Sequence, residues 1–196
     1  MDRISSPLRY TSVAIALHWM IAALIVFNLS IGFFMEGFPK PLKDIIVPLH
    51  ISSGITVLAL TALRVIWRLT HRPPPLPPEI ALWERVAAHF AHALLYILMI
   101  AMTLIGWSII SAHPPNPHGG PKLWGLLHLP PIAPISHLEL TAQKAAHEQF
   151  VQLHSIGGWI FVGLLSLHVG AALKHQFWDR QPELQRMGLG RTRPSN

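Results

Sequence analysis

Four long stretches of this 196-residue chain contain no Asp, Glu, Lys or Arg: Tyr10 to Met35, Ile45 to Leu63, the run after Arg85 as far as Ala112, and the residues between Glu148 and Lys174. About 20 apolar residues in helical form cross a hydrocarbon layer, and the Leu, Ile, Ala and Val content here is continuous. Strands of a membrane barrel would instead alternate with a period of two over about 10 residues. Only 12% of the chain is charged, about half the 25% or so of a soluble domain. The expected fold is therefore all-α, an integral membrane four-helix bundle forming a single domain over 1–196. The expected spans are about 12–35, 45–68, 86–112 and 150–175.

The basic residues orient this bundle. Lys and Arg favour the cytoplasmic side of a membrane. Arg3 and Arg9 precede the first span, Arg64, Arg68, Arg72 and Arg85 surround the second connection, and Lys174, Arg180, Arg186, Arg191 and Arg193 follow the fourth span. That puts eleven of fifteen basic residues on one side, with Lys40, Lys43, Lys122 and Lys144 on the other. Both termini are expected in the cytoplasm, in a multi-pass protein of the bacterial inner membrane. The net charge of +6 is then an orientation signal, and no nucleic-acid partner is implied. The first span is too long for a signal-peptide core and has no A-x-A-like site after it, so it is expected to be retained.

The connections differ in kind. Arg72 to Pro78 is proline-rich and reads as a stiff connector between two helical hairpins. The third connection, about 112–149, carries the apolar run Trp124 to Ile135, too short to span and expected to cover the outer face of the bundle at the interface. Residues 188–196 are expected to fray.

Thirteen histidines and no cysteine exclude disulfides, thiolate-ligated zinc, iron–sulfur clusters and covalently attached haem. Histidines within spans need partners, because lipid offers none. His154 and His168 are 14 residues apart, which keeps them within about 40° on one helical face and about 21 Å apart along the axis. Depth in the membrane then pairs His18 with His168 toward the cytoplasm and His50 with His154 toward the periplasm. Two facing imidazoles without another strong ligand suit the axial positions of a haem iron. Zinc or copper would usually require further ligands. Gly54, Gly157, Gly158, Gly163 and Gly170 would admit either a flat macrocycle or a neighbouring backbone.

Arg64 and Arg68 either pair with haem propionates or snorkel to the interface. His175, seven residues beyond His168, either meets a quinone carbonyl or ends the helix in solvent. His89 and His92 open the third span on the same side, and His147 would replace His154 if the last helix began earlier. His71, His113, His118, His128 and His137 lie in loops and are expected to be solvated.

Taken in order, these residues resemble the bacterial cytochrome b561 family over nearly the whole chain, from about Tyr10 to Asp179. The resemblance rests on Ile15-Ala16-Leu17-His18-Trp19, on Leu49 to Gly54 with Leu63-Arg64, and on Ala88 to His92 with Tyr96. It continues through His154, Leu167-His168 and Ala171 to Phe177. It implies two haem b groups held by His18, His50, His154 and His168, ubiquinone as electron acceptor near His175, and superoxide as a donor in the manner of the family's superoxide oxidase. Gln176 stands where the family has a second histidine.

Three functions compete on this reading. One is a superoxide:quinone oxidoreductase. Another is a cytochrome b electron-transfer subunit whose periplasmic donor is a protein docking on the long third connection. The third is a histidine-rich metal or proton transporter, weakened by the absence of Asp and Glu from the four uncharged stretches.

Overall fold

The structure is a computed structural model and describes residues 9–75, 80–113 and 120–189. Arg3, Arg191, Arg193, His118, the end of the proline-rich connector and the prolines at 114, 115 and 117 lie outside those residues. Four helices are long and apolar enough to cross a membrane: α1 (Ser12–Gly32), α2 (Lys40–Thr70), α3 (Leu82–Ser111) and α5 (Leu140–Leu173), the last continuing as a π-helical turn over Lys174–Trp178. Between α3 and α5 lie a two-stranded hairpin, β1 (Lys122–Leu123) and β2 (Leu127–His128), and the short α4 (Ala133–Ser136). A single turn, α6 (Glu183–Arg186), closes the described chain.

Local chemistry sets the helix ends. Thr11 caps α1, its Oγ1 accepting from the Ala14 N–H at 3.3 Å, as a hydroxyl at this position does. Pro41 stands in the first turn of α2, where a missing N–H costs nothing. Pro48 lies inside the same helix and removes one backbone rung two residues before His50. Both α2 and α5 begin earlier than the expected spans, at Lys40 and Leu140. At 34 residues, α5 is about 51 Å long, well beyond the roughly 30 Å hydrocarbon layer. Its first turns, with Lys144 and Glu148, therefore emerge from the apolar zone.

The bundle is inverted relative to a soluble one. Leu69, Leu82, Leu167 and Trp178 are exposed on the outside, whereas Ser52, Ser53, Thr61 and Ser111 are fully buried. Small hydroxyl residues let membrane helices approach closely and satisfy one another's polar groups; Ser53 donates to Asn28 Oδ1 at 2.8 Å, joining α2 to α1. The apolar centre is one layer, Ile21, Val57, Met99 and Phe161, with one residue from each long helix. Among the described residues α1 packs on α2, α2 on α3 and α3 on α5, while α5 has scarcely any close backbone contact with α1 or α2.

Both ends are tied shut. The hairpin pairs Leu123 with Leu127, and its three-residue loop reverses at Trp124 and Gly125, each with positive φ, the left-handed region that tight turns use. Its Trp124 N–H donates to Ser52 Oγ at 2.9 Å and its indole N–H to Thr56 Oγ1 at 3.1 Å. The expected interfacial cover is thus a folded hairpin anchored on α2. Gly120 at its start admits no side chain, because a Cβ would stand 1.8 Å from the Leu129 carbonyl oxygen.

At the opposite, basic end, the Arg186 side chain is buried and donates to the carbonyls of Pro74 and Pro75 at 3.2 and 2.8 Å. Its own backbone carbonyl accepts from Tyr10 N–H at 3.2 Å. Trp19 donates its indole N–H to the Met187 carbonyl at 2.9 Å. Fraying therefore does not begin at Gly188, as its sequence suggests. Gly188 and Leu189 are held by backbone bonds to Gln185 and Leu184, and the rest of the tail lies outside the described residues.

Candidate functional site

The two seams that α5 leaves loosely packed, against α1 and against α2, are each bridged by imidazoles. His18 on α1 and His168 on α5 have ring centroids 6.4 Å apart at an interplanar angle of 65°. His50 on α2 and His154 on α5 stand 6.1 Å apart at 76°. Phe161, seven residues from each α5 histidine, lies in the buried apolar layer between the two pairs.

These separations can be compared with what a metal bridge requires. An imidazole nitrogen sits about 2.0 Å from a first-row metal and about 1.2 Å from its own ring centre, so two rings on opposite sides of one ion have centres about 6.3 Å apart. Both pairs fall close to that value. Nδ1 of His50 and Nδ1 of His154 are buried beside the backbone of Asn28 and of Met102 respectively, short of full hydrogen-bond geometry. The residues present fit a haem held by two imidazoles at each level.

The neighbouring small residues divide. A Cβ on Gly157 would stand 2.4 Å from Met102 Sδ, and one on Gly158 3.7 Å from Phe33, so these two serve close packing. Gly54, Gly163 and Gly170 face open space. Two glycines that sequence reasoning passed over matter more. A Cβ on Gly32 or on Gly106 would come to 3.4 Å from Cε1 of His50 or His154 respectively. The imidazoles of His50 and His154 are therefore each seated edge-on against a glycine of an adjacent helix. Nothing local in the sequence marks these seats, since Gly32 and Gly106 are remote in sequence from the rings they support.

The remaining candidates are placed as follows. Arg64 does not snorkel: Nη1 donates to the Ala14 carbonyl at 2.6 Å and Nε to the Tyr96 hydroxyl at 3.1 Å. Together with Arg9, Arg68 and Arg72 it lines a cavity of about 240 Å³ at the basic end. Ala14, one helical turn before His18, also lines it. His92 donates from Nδ1 to Ala88 O at 2.7 Å and its ring centre is 5.2 Å from that of His168, a close edge contact too short to hold an ion between the rings. His89 is exposed and bonded to Arg85 O at 2.6 Å. His147 donates to Ile109 O at 3.1 Å and lies beside His113, ring centres 5.2 Å apart; although α5 begins at Leu140, it is His154, two turns further on, that faces His50. His71 stacks on Trp67 at 3.7 Å.

His175 falls in the π-helical turn and shares a cluster with Lys174, Asp179 and Glu84. Its Nδ1 lies 2.6 Å from Asp179 Oδ2. Lys174, and after it His175, hold the Asp179 carboxyl below its usual pKa. The four-residue interval from His175 to Asp179 is a helical neighbour spacing that sequence reasoning could have used.

A family model described as prokaryotic cytochrome b561 matches residues 9–190. The chain belongs to the prokaryotic cytochrome b561 family. It is similar to cytochrome b561 homolog 2 of Escherichia coli K12, 29% identical over 98% of this chain and 97% of the relative. It is 26% identical to cytochrome b561 homolog 1 of the same organism, over 91% of this chain and 96% of the relative. A protein named probable superoxide oxidase CybB, from Yersinia pestis, is 29% identical over 52% of this chain and 58% of its own length. Cytochrome b561 proteins are membrane electron carriers that bind haem b, which accords with four membrane-crossing helices and buried histidines on both sides of the apolar layer.

Proposed function

We propose that the protein is a di-haem superoxide:ubiquinone oxidoreductase of the bacterial inner membrane, with both termini in the cytoplasm. One haem b is held by His50 and His154 toward the periplasm and the other by His18 and His168 toward the cytoplasm. The observation that carries this reading is the pair of imidazole separations, 6.1 and 6.4 Å, across the two seams where α5 does not pack closely. Haem b bound there supplies reversible one-electron chemistry at iron. Overall, two superoxide ions give up one electron each to become O2, and one ubiquinone takes up two electrons and two protons to become ubiquinol.

The chain's own residues divide the remaining work. Lys40, Lys43, Lys122 and Lys144 are matched in number on the outer face by Glu36, Asp44, Glu139 and Glu148, so these lysines draw the anionic donor locally rather than through a net positive charge. Lys122 lies in the hairpin, its carbonyl accepting from Ser52 two residues after His50. Ile21, Val57, Met99 and Phe161 keep water out of the centre of the bundle. Arg64 and Arg68 offer guanidinium groups to haem propionates in the basic cavity. His175 meets the quinone at the cytoplasmic end.

A second reading, a subunit fed by a periplasmic protein, draws on the exposed apolar tip of the hairpin, where Leu126 and Leu127 are 89% and 55% accessible. Rapid mixing of the purified protein with superoxide separates the two. Superoxide oxidation predicts haem reduction that a superoxide scavenger abolishes. Reduction no faster than in the scavenged control removes this activity and favours the protein donor. A folded but colourless preparation removes both readings.

A further inference from the structure

The basic end of α5 does not finish as an ordinary helix. Its last turn, Lys174–Trp178, is π-helical, with Asp179 N–H bonded to Lys174 O at 3.1 Å. Such turns are rare and often fall at functional sites. Here the turn gathers His175 and Asp179 from its own segment and Glu84 from α3. Lys174 Nζ lies 2.8 Å from Glu84 Oε1 and 2.9 Å from Asp179 Oδ2, and His175 Nδ1 is 2.6 Å from that same Oδ2. The potential ligand atoms of Glu84, His175 and Asp179 lie within 4.8 Å of one another. The Lys174 ammonium between the carboxylates supplies the positive charge a metal ion would bring, which argues against a metal here. Of the nearby α6 residues, Glu183 and Arg186 are paired with each other at 3.2 Å.

We propose that Asp179 is a positioning residue for His175, accepting its Nδ1 proton so that Nε2 is the nitrogen exchanging a proton with a quinone oxygen. The inference rests on the reading that quinone is reduced at this end. A ring whose Nδ1–H is fixed on a carboxylate keeps one tautomer and one orientation. In each turnover the quinone gains two electrons, delivered singly from the donor through the haem pair, and two protons. One proton leaves Nε2 of the imidazolium for a quinone oxygen. The ring regains it from water at the partly exposed Glu84–Lys174–Asp179 surface, and the second proton comes from water on the same side. Lys174 anchors Asp179 to α3 through Glu84, which couples the proton-exchanging ring to a second helix.

The test follows reoxidation of the fully reduced, haem-loaded protein by a short-chain ubiquinone, across about pH 5.5 to 8.5, a range bracketing the ordinary histidine pKa. Asp179→Asn should slow reoxidation on the order of tenfold, the scale of a modest loss of acid–base assistance. It should leave the quinone KM within about twofold, so that the loss falls on the rate at saturating quinone. Asp179→Glu should recover part of the rate. His175→Gln should be slow at every pH. If His175→Gln is slow while Asp179→Asn keeps the wild-type rate and profile, the positioning role is wrong and the quinone reading stands. If His175→Gln reoxidises at the wild-type rate, the quinone reading fails and the inference with it.

A second measurement is independent of turnover and of the folding of any Asp179 variant. Nitrogen NMR of histidine-labelled wild-type protein, with the His175 signal identified by its loss in His175→Gln, should show the neutral ring protonated at Nδ1. The opposite tautomer overturns the proposal.

Discussion

Arg64 donates from Nη1 to the carbonyl of Ala14 at 2.6 Å, so a guanidinium from α2 is bonded to α1 one turn before His18. With Nε on the Tyr96 hydroxyl, it links α1, α2 and α3 at the level where the inner haem is proposed to sit. Replacing Arg64 by Gln leaves both acceptors short of a donor, a loss of about 1–3 kcal/mol. It also removes a fixed positive charge. At an effective dielectric of about 20 and a distance of about 8–16 Å, such a charge is worth about 1–2 kcal/mol, or about 40–90 mV for one electron. The midpoint potential of the inner haem should fall by that amount, and Arg64→Lys should preserve most of the potential while still losing stability. Redox titration alongside thermal unfolding separates the two effects.

The proposed ligand pairing makes an asymmetric prediction. Single replacement of His18 or of His154 by Ala should lower the haem content from two per chain to one, and each variant should retain the spectrum of the other site. His92→Gln should retain both, because His92 meets His168 as an edge contact at 5.2 Å. Retention of two haems in His18→Ala together with loss of one in His92→Gln would reassign the ligand.

The glycine seats predict a selective effect of added side-chain volume. Gly106→Val places branched atoms beyond a Cβ position that is already 3.4 Å from the His154 ring. Overpacking of this kind typically costs about 1–3 kcal/mol, and the displaced ring should broaden or shift the spectrum of the haem proposed between His50 and His154. Gly157→Ala should be milder despite a nominal approach of 2.4 Å, because the atom it meets is the flexible Met102 sulfur. Low-temperature spectra of the two variants test the contrast.

Much of this was legible in the sequence, for a physical reason. A lipid environment forces long uncharged stretches, and a 14-residue interval between His154 and His168 sets their relative face and depth without knowledge of packing. What was hidden depends on contacts remote in sequence. Gly32 and Gly106 acquire meaning only once their helices lie against His50 and His154. Arg64 could have snorkelled until Ala14 and Tyr96 were placed beside it. The tail from Gly188 looked free because the anchor just before it, Arg186, bonds to proline carbonyls about 110 residues earlier.

That anchor should be costly to remove. Arg186 is 3% accessible, donates to Pro74 and Pro75, pairs with Glu183 and lies 6.0 Å from the Tyr10 ring centre. Arg186→Ala withdraws its donors from two carbonyls and leaves Glu183 without this ion-pair partner, a loss of about 2–4 kcal/mol. The break should release the α6 turn, the proline connector and the start of α1 together. Limited tryptic proteolysis should then cut after Arg9, whose neighbour Tyr10 is bonded to the Arg186 carbonyl, and after Arg180 at matching rates. Enhanced cleavage at only one of these sites would show that Arg186 does not join them.

The contacts of Asp179 predict a one-sided pH dependence. Lys174 first, and His175 after it, hold its carboxyl below the usual range, so the folded protein binds that proton less readily than the unfolded chain. A depressed carboxylate contributes stability in full above its unfolded pKa, about 3.9, and loses it as pH falls through the lower folded value. Amide protection of Asp179 and Gln181, whose N–H groups bond to the Lys174 and His175 carbonyls, should stay constant from neutral pH to about pH 5. It should then drop below about pH 4, once the carboxylate is protonated. Asp179→Asn should show reduced protection throughout, without that acid limb. Hydrogen exchange corrected for intrinsic rates measures both, and a wild-type drop already complete between about pH 6 and 5 would assign the dependence to an imidazole rather than to this carboxylate.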